Sequence, residues 1–240
     1  MNSAPFAPWS QQGESLLALC RARPAPGLAP ELSDAPGPTL LAAIRYTDSP
    51  VGPYLALAVM VPARLRARFG WSVVLMVVDH PGALTGACLN WGFPAMRGTL
   101  RWLADGPERR LVWEEGEVDV RGRGRGVALP VVLPHSELQV RGDGPVIVPD
   151  RLWGLARPGA VRVSAPADGG PLAALAGRHL GAHITSVHRI VREARTPVGL
   201  RAPLRAPTGV EPVMAAPVSV RRQRDPALSS AAPGAYSSVG

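Results

Sequence analysis

The sequence predicts a mostly β fold of the α+β class, an antiparallel β-barrel or double sheet with few short helices. Two observations carry this. Short runs of Val, Leu, Ile and aromatic residues recur from Thr39 to about residue 200, and turn signals punctuate them at Ser49-Pro50, Asp105-Gly106, Gly142-Asp143-Gly144 and Asp168-Gly169-Gly170. Many short strands at such spacing form a sandwich or barrel. The chain is 240 residues long and 46% apolar, enough for one large domain with a packed core.

Taken in order, residues 1–38 are rich in Pro and Ala around Glu14-Ser-Leu-Leu-Ala-Leu-Cys-Arg-Ala-Arg23. The apolar spacing there fits a short helix stopped by Pro24, so an N-terminal arm is expected. The β domain is expected over 39–200, with strands at 40–46, 54–61, 71–78, 98–103, 110–113, 118–121, 127–133, 138–141 and 181–193. A helix is expected at 172–176. From 201 to 240 the composition of Pro, Ala, Ser, Val and Arg reads as a disordered tail.

The formal charge of +8 comes entirely from arginine: all 26 basic residues are Arg, scattered from Arg21 to Arg224, and there is no lysine. This scatter does not favour nucleic acid as a partner. The longest apolar runs, 54–62 and 71–78, fall far short of the roughly 20 residues of a spanning helix, so no membrane partner is expected. The first residues lack a cationic start and a continuous apolar core, and a cytoplasmic location is expected. Cys20 and Cys88 are too few for a disulfide framework and read as free thiols.

Three tempting motifs have plainer readings. Arg121-Gly-Arg-Gly-Arg-Gly126 has the wrong spacing for a phosphate loop and reads as a hairpin connection or strand edge. His179, His183 and His188 lie in a β-rich segment, where four residues span roughly 13 Å, too far to share an ion, so no metal is expected. The acids Glu114 to Asp119 sit at a hairpin turn among Arg109, Arg110, Arg121 and Arg123, the pattern of a solvated face of ion pairs.

Tyr46-Thr-Asp-Ser-Pro-Val-Gly-Pro-Tyr54 leads into the alternating run Tyr54-Leu-Ala-Leu-Ala-Val-Met-Val61, and Asn90-Trp-Gly-Phe-Pro-Ala-Met-Arg97 follows some thirty residues on. The pair resembles the acetoacetate decarboxylase-like superfamily, whose motifs read approximately Gly-x-Tyr-x-Glu and Gly-(Tyr/Phe)-Pro-Lys-Lys. The resemblance extends more loosely from about Thr39 to Leu200. It implies a lysine that attacks the ketone of a β-keto acid, a neighbouring cation that keeps that lysine neutral, and a strand glutamate. Those positions fall on Ala95, Met96 and Ala56, so Schiff-base decarboxylation is not expected and no catalytic residue is assigned. The resemblance also implies a homo-oligomer.

Alternation from the implied glutamate position puts Tyr54, Ala56, Ala58 and Met60 on one strand face, toward the family's cavity. With Trp91, Phe93, Ala95 and Met96 these residues suit a small hydrophobic keto or carboxylate ligand, or else fill the barrel solid. Arg97 and Arg45 are candidates to clamp a carboxylate, with solvent or an acidic neighbour as their other destination. No cofactor is expected. Three functions stay open: a binding protein without turnover, an enzyme of altered mechanism on a hydrophobic keto compound, and a structural or assembly role. The second requires a polar group buried in the cavity.

Overall fold

The computed structural model describes residues 5–24, 27–142, 144–167 and 172–197; the tail expected at 201–240 lies outside them. Twelve strands carry the described chain: β1 Trp9–Cys20, β2 Ser33–Asp34, β3 Thr39–Asp48, β4 Tyr54–Leu65, β5 Arg68–Val78, β6 Ala95–Arg97, β7 Leu100–Asp105, β8 Glu108–Trp113, β9 Val118–Gly124, β10 Leu129–Arg141, β11 Gly144–Ser164 and β12 Gly177–Val191. Helical residues are confined to α1 Pro81–Gly86, a π-helical turn Ala87–Trp91 and a 3-10 turn Ala173–Leu175. The mostly β architecture with few short helices is as expected.

The strand order is β10-β5-β4-β3-β1-β12-β11-β9-β8-β7. Strand β10 also pairs with β11 over its whole length, so the ladder closes on itself through β10. The seam is thin, since β10 meets β5 at the single parallel pair Glu137 and Trp71. The other ladders are antiparallel except β5 with β6.

Strands β3 and β4 are buried on both faces over most of their length, and β1 is covered on both faces only around Ser15 to Ala18. One set of side chains, including Leu16, Ala18, Leu41, Ala43, Leu57 and Val59, packs against β7 to β9 through Leu111, Trp113, Val118 and Val120. The alternate set, including Ala42, Ile44, Tyr46, Tyr54, Ala56 and Ala58, faces the interior of the closed ladder, where Trp9, Trp91 and Phe93 also pack. The face assignment read from alternation along 54–60 is therefore the observed one.

Four expectations need correction. Residues 14–20 of the expected helix belong to β1, which is central in the sheet between β3 and β12. Its apolar residues Leu16 to Cys20 run consecutively without polar residues between them, and a helical period fits them equally well. Residues 127–133 and 138–141 are parts of a single region dominated by β10, whose Pro134 and His135 read as a break. No strand was expected between 141 and 181, where β11 runs for 21 residues and carries Pro145, Pro149 and Pro158. Proline lacks only the donor, and here the carbonyls of Pro149 and Pro158 accept from Arg192 and Arg125. Cys88 lies in the π-helical turn. The helix expected at 172–176 is the short 3-10 turn.

Candidate functional site

Inside the closed ladder lies a cavity of about 380 Å³, within the size range of small-molecule sites. Its walls are apolar: Leu17 of β1, Leu40, Ala42 and Ile44 of β3, Met60 of β4 and Trp71 of β5. Three polar residues, Ser15 of β1, His135 of β10 and Arg189 of β12, also line it. Because β10 alternates, His135, Glu137 and Gln139 share one face, and the latter two are buried. Register places His135 directly opposite Asp150 of β11.

Arg189 organises this end. Its Nε donates to Asp150 Oδ2 at 2.6 Å, Nη2 to Glu137 Oε1 at 2.7 Å and Nη1 to Tyr46 Oη at 3.1 Å. Nη2 also lies 2.5 Å from Asp150 Oδ2. Tyr54 stands beside Tyr46, ring centroids 4.7 Å apart, and its hydroxyl accepts from Gln11 Nε2. A fork of planar donors suits one guanidinium to several acceptors at once.

Two carboxylates share this one cation, and both are fully buried. Desolvation raises the Glu137 pKa to about 8, with Asp150 adding to the rise and Arg189 opposing it. Asp150 receives two of the guanidinium contacts, so Glu137 is the acid that keeps its proton. Its Oε2 has no hydrogen-bond partner. Burial lowers the His135 pKa, which leaves a neutral imidazole. His135 Nδ1 lies 3.2 Å from the Leu133 carbonyl, an acceptor, which assigns the proton to Nδ1. Nε2 then presents its lone pair toward Asp150 Oδ2 at 3.6 Å and Glu137 Oε1 at 3.9 Å. A neutral acid and a neutral imidazole beside a cation can donate and accept protons at the wall of an apolar cavity.

His135, Glu137 and Asp150 also have donor atoms within 4.8 Å of one another, a spacing that could hold a metal ion. Arg189 already places its positive charge on both carboxylates, so the donor set does not fit a second cation.

Of the residues singled out from sequence, Met60 lines the cavity. Tyr54, Ala56, Ala58, Trp91 and Phe93 are buried in the same interior cluster without lining it. Ala95 is half-buried against that cluster, and Met96 and Arg97 are exposed on β6. Arg45 points outward between inward-facing Ile44 and Tyr46, and pairs with Glu14 at 3.3 Å. The cation at the cavity is thus Arg189, not Arg45 or Arg97. The carboxylates come from β10 and β11, not from β3 or β4.

The remaining motifs have structural partners. His183 Nε2 lies 3.1 Å from Glu14 Oε2, His179 contacts the Leu175 carbonyl, and His188 stacks on Trp153. Glu114 pairs with Arg101, and Asp119 with Arg110.

His135, Glu137, Asp150 and Arg189 were missed because each sits in a stretch that read as a break or carried no distinguishing signal. The one usable signal was the alternation of His135, Glu137 and Gln139 with Ser136, Leu138 and Val140, a strand period with polar residues on one face.

No family model matches the chain, and no curated protein matches its sequence. Solved structures do match it. Acetoacetate decarboxylase from Legionella pneumophila superposes with a TM-score of 0.59 at 17% identity, covering 81% of this chain and 89% of that one. The enduracididine biosynthesis enzyme MppR, complexed with pyruvate, superposes with a TM-score of 0.61 at 14% identity over 80% of this chain and 90% of that one. An acetoacetate decarboxylase-like enzyme from Sphingomonas wittichii gives 0.56 at 14% identity, over 78% and 91% of the two chains.

Proposed function

From the premise that this chain has the acetoacetate decarboxylase-like fold, we propose that it binds a small hydrophobic keto or carboxylate compound in the β3–β4–β12 cavity without forming a Schiff base. The observation that carries this reading is the pairing of a 380 Å³ apolar cavity with a chain that has no lysine. The apolar walls take the hydrophobic body of the ligand. Its carbonyl or carboxylate accepts from Arg189, the only guanidinium among the cavity's lining residues. Neutral Glu137 keeps this end close to charge balance, so an uncharged ketone and a carboxylate are both accommodated.

A second reading, an enzyme of altered mechanism, is favoured by the neutral His135 beside Arg189. With its ring turned so that Nε2 leaves the carboxylates and faces the cavity, His135 would take a proton from the carbon next to the ligand carbonyl, and Arg189 would stabilise the enolate oxygen that forms. MppR has the same fold and is complexed with pyruvate, a keto acid, which supports keto chemistry as the class to test.

The deciding experiment incubates the purified chain with a panel of hydrophobic keto acids and follows binding by native mass spectrometry, imine formation by borohydride trapping, and hydrogen–deuterium exchange next to the carbonyl by NMR in deuterated water. Binding without a trapped adduct is the expected result, and accelerated exchange adds the enzymatic reading to it. A trapped imine or release of carbon dioxide from acetoacetate overturns the proposal.

A further inference from the structure

On the sheet face opposite buried Val161 and Val163, the antiparallel registers align arginines directly across four strands. Arg110 of β8 opposes Arg121 of β9, Arg121 opposes Arg162 of β11, and Arg162 opposes Arg178 of β12. Residues directly opposite in a ladder project to the same side, and the inward neighbours Val161 and Val163 are buried while Arg162 and Arg178 are exposed. Like charges in directly opposed positions destabilise a sheet. Arg110 is neutralised by Asp119 at 2.6 Å. Among the described residues, Arg121, Arg162 and Arg178 have no carboxylate within ion-pair distance, nor do Arg123 and Arg125 beside them.

These five arginines line a groove of about 540 Å³ whose one acidic lining residue is Glu108. Gly122 and Gly159 are also among its lining residues. We propose that this groove binds a small molecule bearing two or more linked phosphates. Guanidinium forks match phosphate oxygens two at a time. Adjacent strands lie about 4.8 Å apart, so Arg121 to Arg178 span about 10 Å, a length suited to a di- or triphosphate and too short for a duplex backbone. The basic surface also stops at Leu180, which is 78% exposed at the edge of the groove. A bound oligophosphate would explain why a like-charged row is built where each strand could have alternated sign.

Isothermal titration of the full chain with inorganic tripolyphosphate tests this. Binding at 50 mM salt that weakens at 200 mM is expected. The single variant Arg162→Gln should weaken it about tenfold, and combining it with Arg121→Gln and Arg178→Gln should abolish it. A charge-matched control, Arg64→Gln with Arg66→Gln and Arg68→Gln on another hairpin, should change affinity by less than about threefold. Without ligand, Arg162→Gln should leave thermal stability unchanged or raised, because it removes like-charge repulsion; a fall in Tm would identify Arg162 as a structural residue and overturn the proposal. Absent binding, or equal loss in the control, overturns it too. So does tight binding of a duplex oligonucleotide that tripolyphosphate does not displace, which would assign the surface to nucleic acid instead.

Discussion

Arg189 and Asp150, 39 residues apart, meet at 2.6 Å through Nε and Oδ2, with both side chains withdrawn from solvent. Glu137 and Tyr46 join the same guanidinium from 52 and 143 residues away. The ring of strands is thereby tied together at the polar end of its cavity. Removing the guanidinium leaves buried Asp150 and Glu137 without their shared donor, so Arg189→Met should destabilise the fold by about 3–5 kcal/mol in urea denaturation. Adding Asp150→Asn and Glu137→Gln should recover part of that loss. A single variant as stable as the parent would show that the cluster does not hold the ladder.

Glu137 makes stability depend on pH in a definite direction. In the folded chain it keeps its proton up to about pH 8, whereas the unfolded chain releases it near pH 4.5. The folded state therefore binds more protons across this window, and stability should fall as pH rises from about 4.5 to about 8. Glu137→Gln should flatten that slope in chemical denaturation measured at several pH values. An unchanged slope would mean that Glu137 ionises in the fold.

Glu14 acts in the opposite sense. Its hydrogen bond to His183, joined by Arg109, lowers its pKa to about 2 against the opposing effect of burial. Its stabilisation is complete above about pH 4.5 and is lost as pH falls toward 2. Glu14→Gln should be less stable than the parent at pH 6, and the gap should close near pH 2. A gap that stays constant with pH would place the effect in packing instead.

The cavity should be open to plugging. Ala42 lines it from β3, and Ala42→Phe is expected to fill the space with a cost of less than about 2 kcal/mol. Ligand uptake measured by native mass spectrometry should disappear. Retained uptake by a folded Ala42→Phe protein would locate the ligand elsewhere.

Gly13 marks the bulge where β1 shifts register against β3. A Cβ there would lie 1.9 Å from the Arg45 carbonyl oxygen, a backbone atom that cannot step aside. Gly13→Val should destabilise the protein by at least about 2 kcal/mol by thermal or urea unfolding, and a neutral result would mean that β1 can shift without cost.

Much of this was legible in the residues, and the losses share one cause. Clustered apolar runs and turn pairs gave the strands β3, β4, β5 and β12 nearly to their ends. Alternation gave the two faces of β4. The failures at β1, β10 and β11 came where a strand is covered on both sides, or carries proline, so that period and breakers stop reporting the environment. Glu137 falls in the gap between the strands expected at 127–133 and 138–141, where nothing local marks it as buried.

By itself the sequence determined a mostly β chain, an apolar strand pair at 40–61 and the absence of any lysine to form an imine, since each of these depends on local pattern or on composition. The tertiary structure alone decided that β1 is central, that Arg189 and not Arg45 or Arg97 is the cation at the cavity, and that four arginines fall in one row. Those facts depend on register between strands far apart in sequence, where a shift of one residue would turn every side chain to the opposite face.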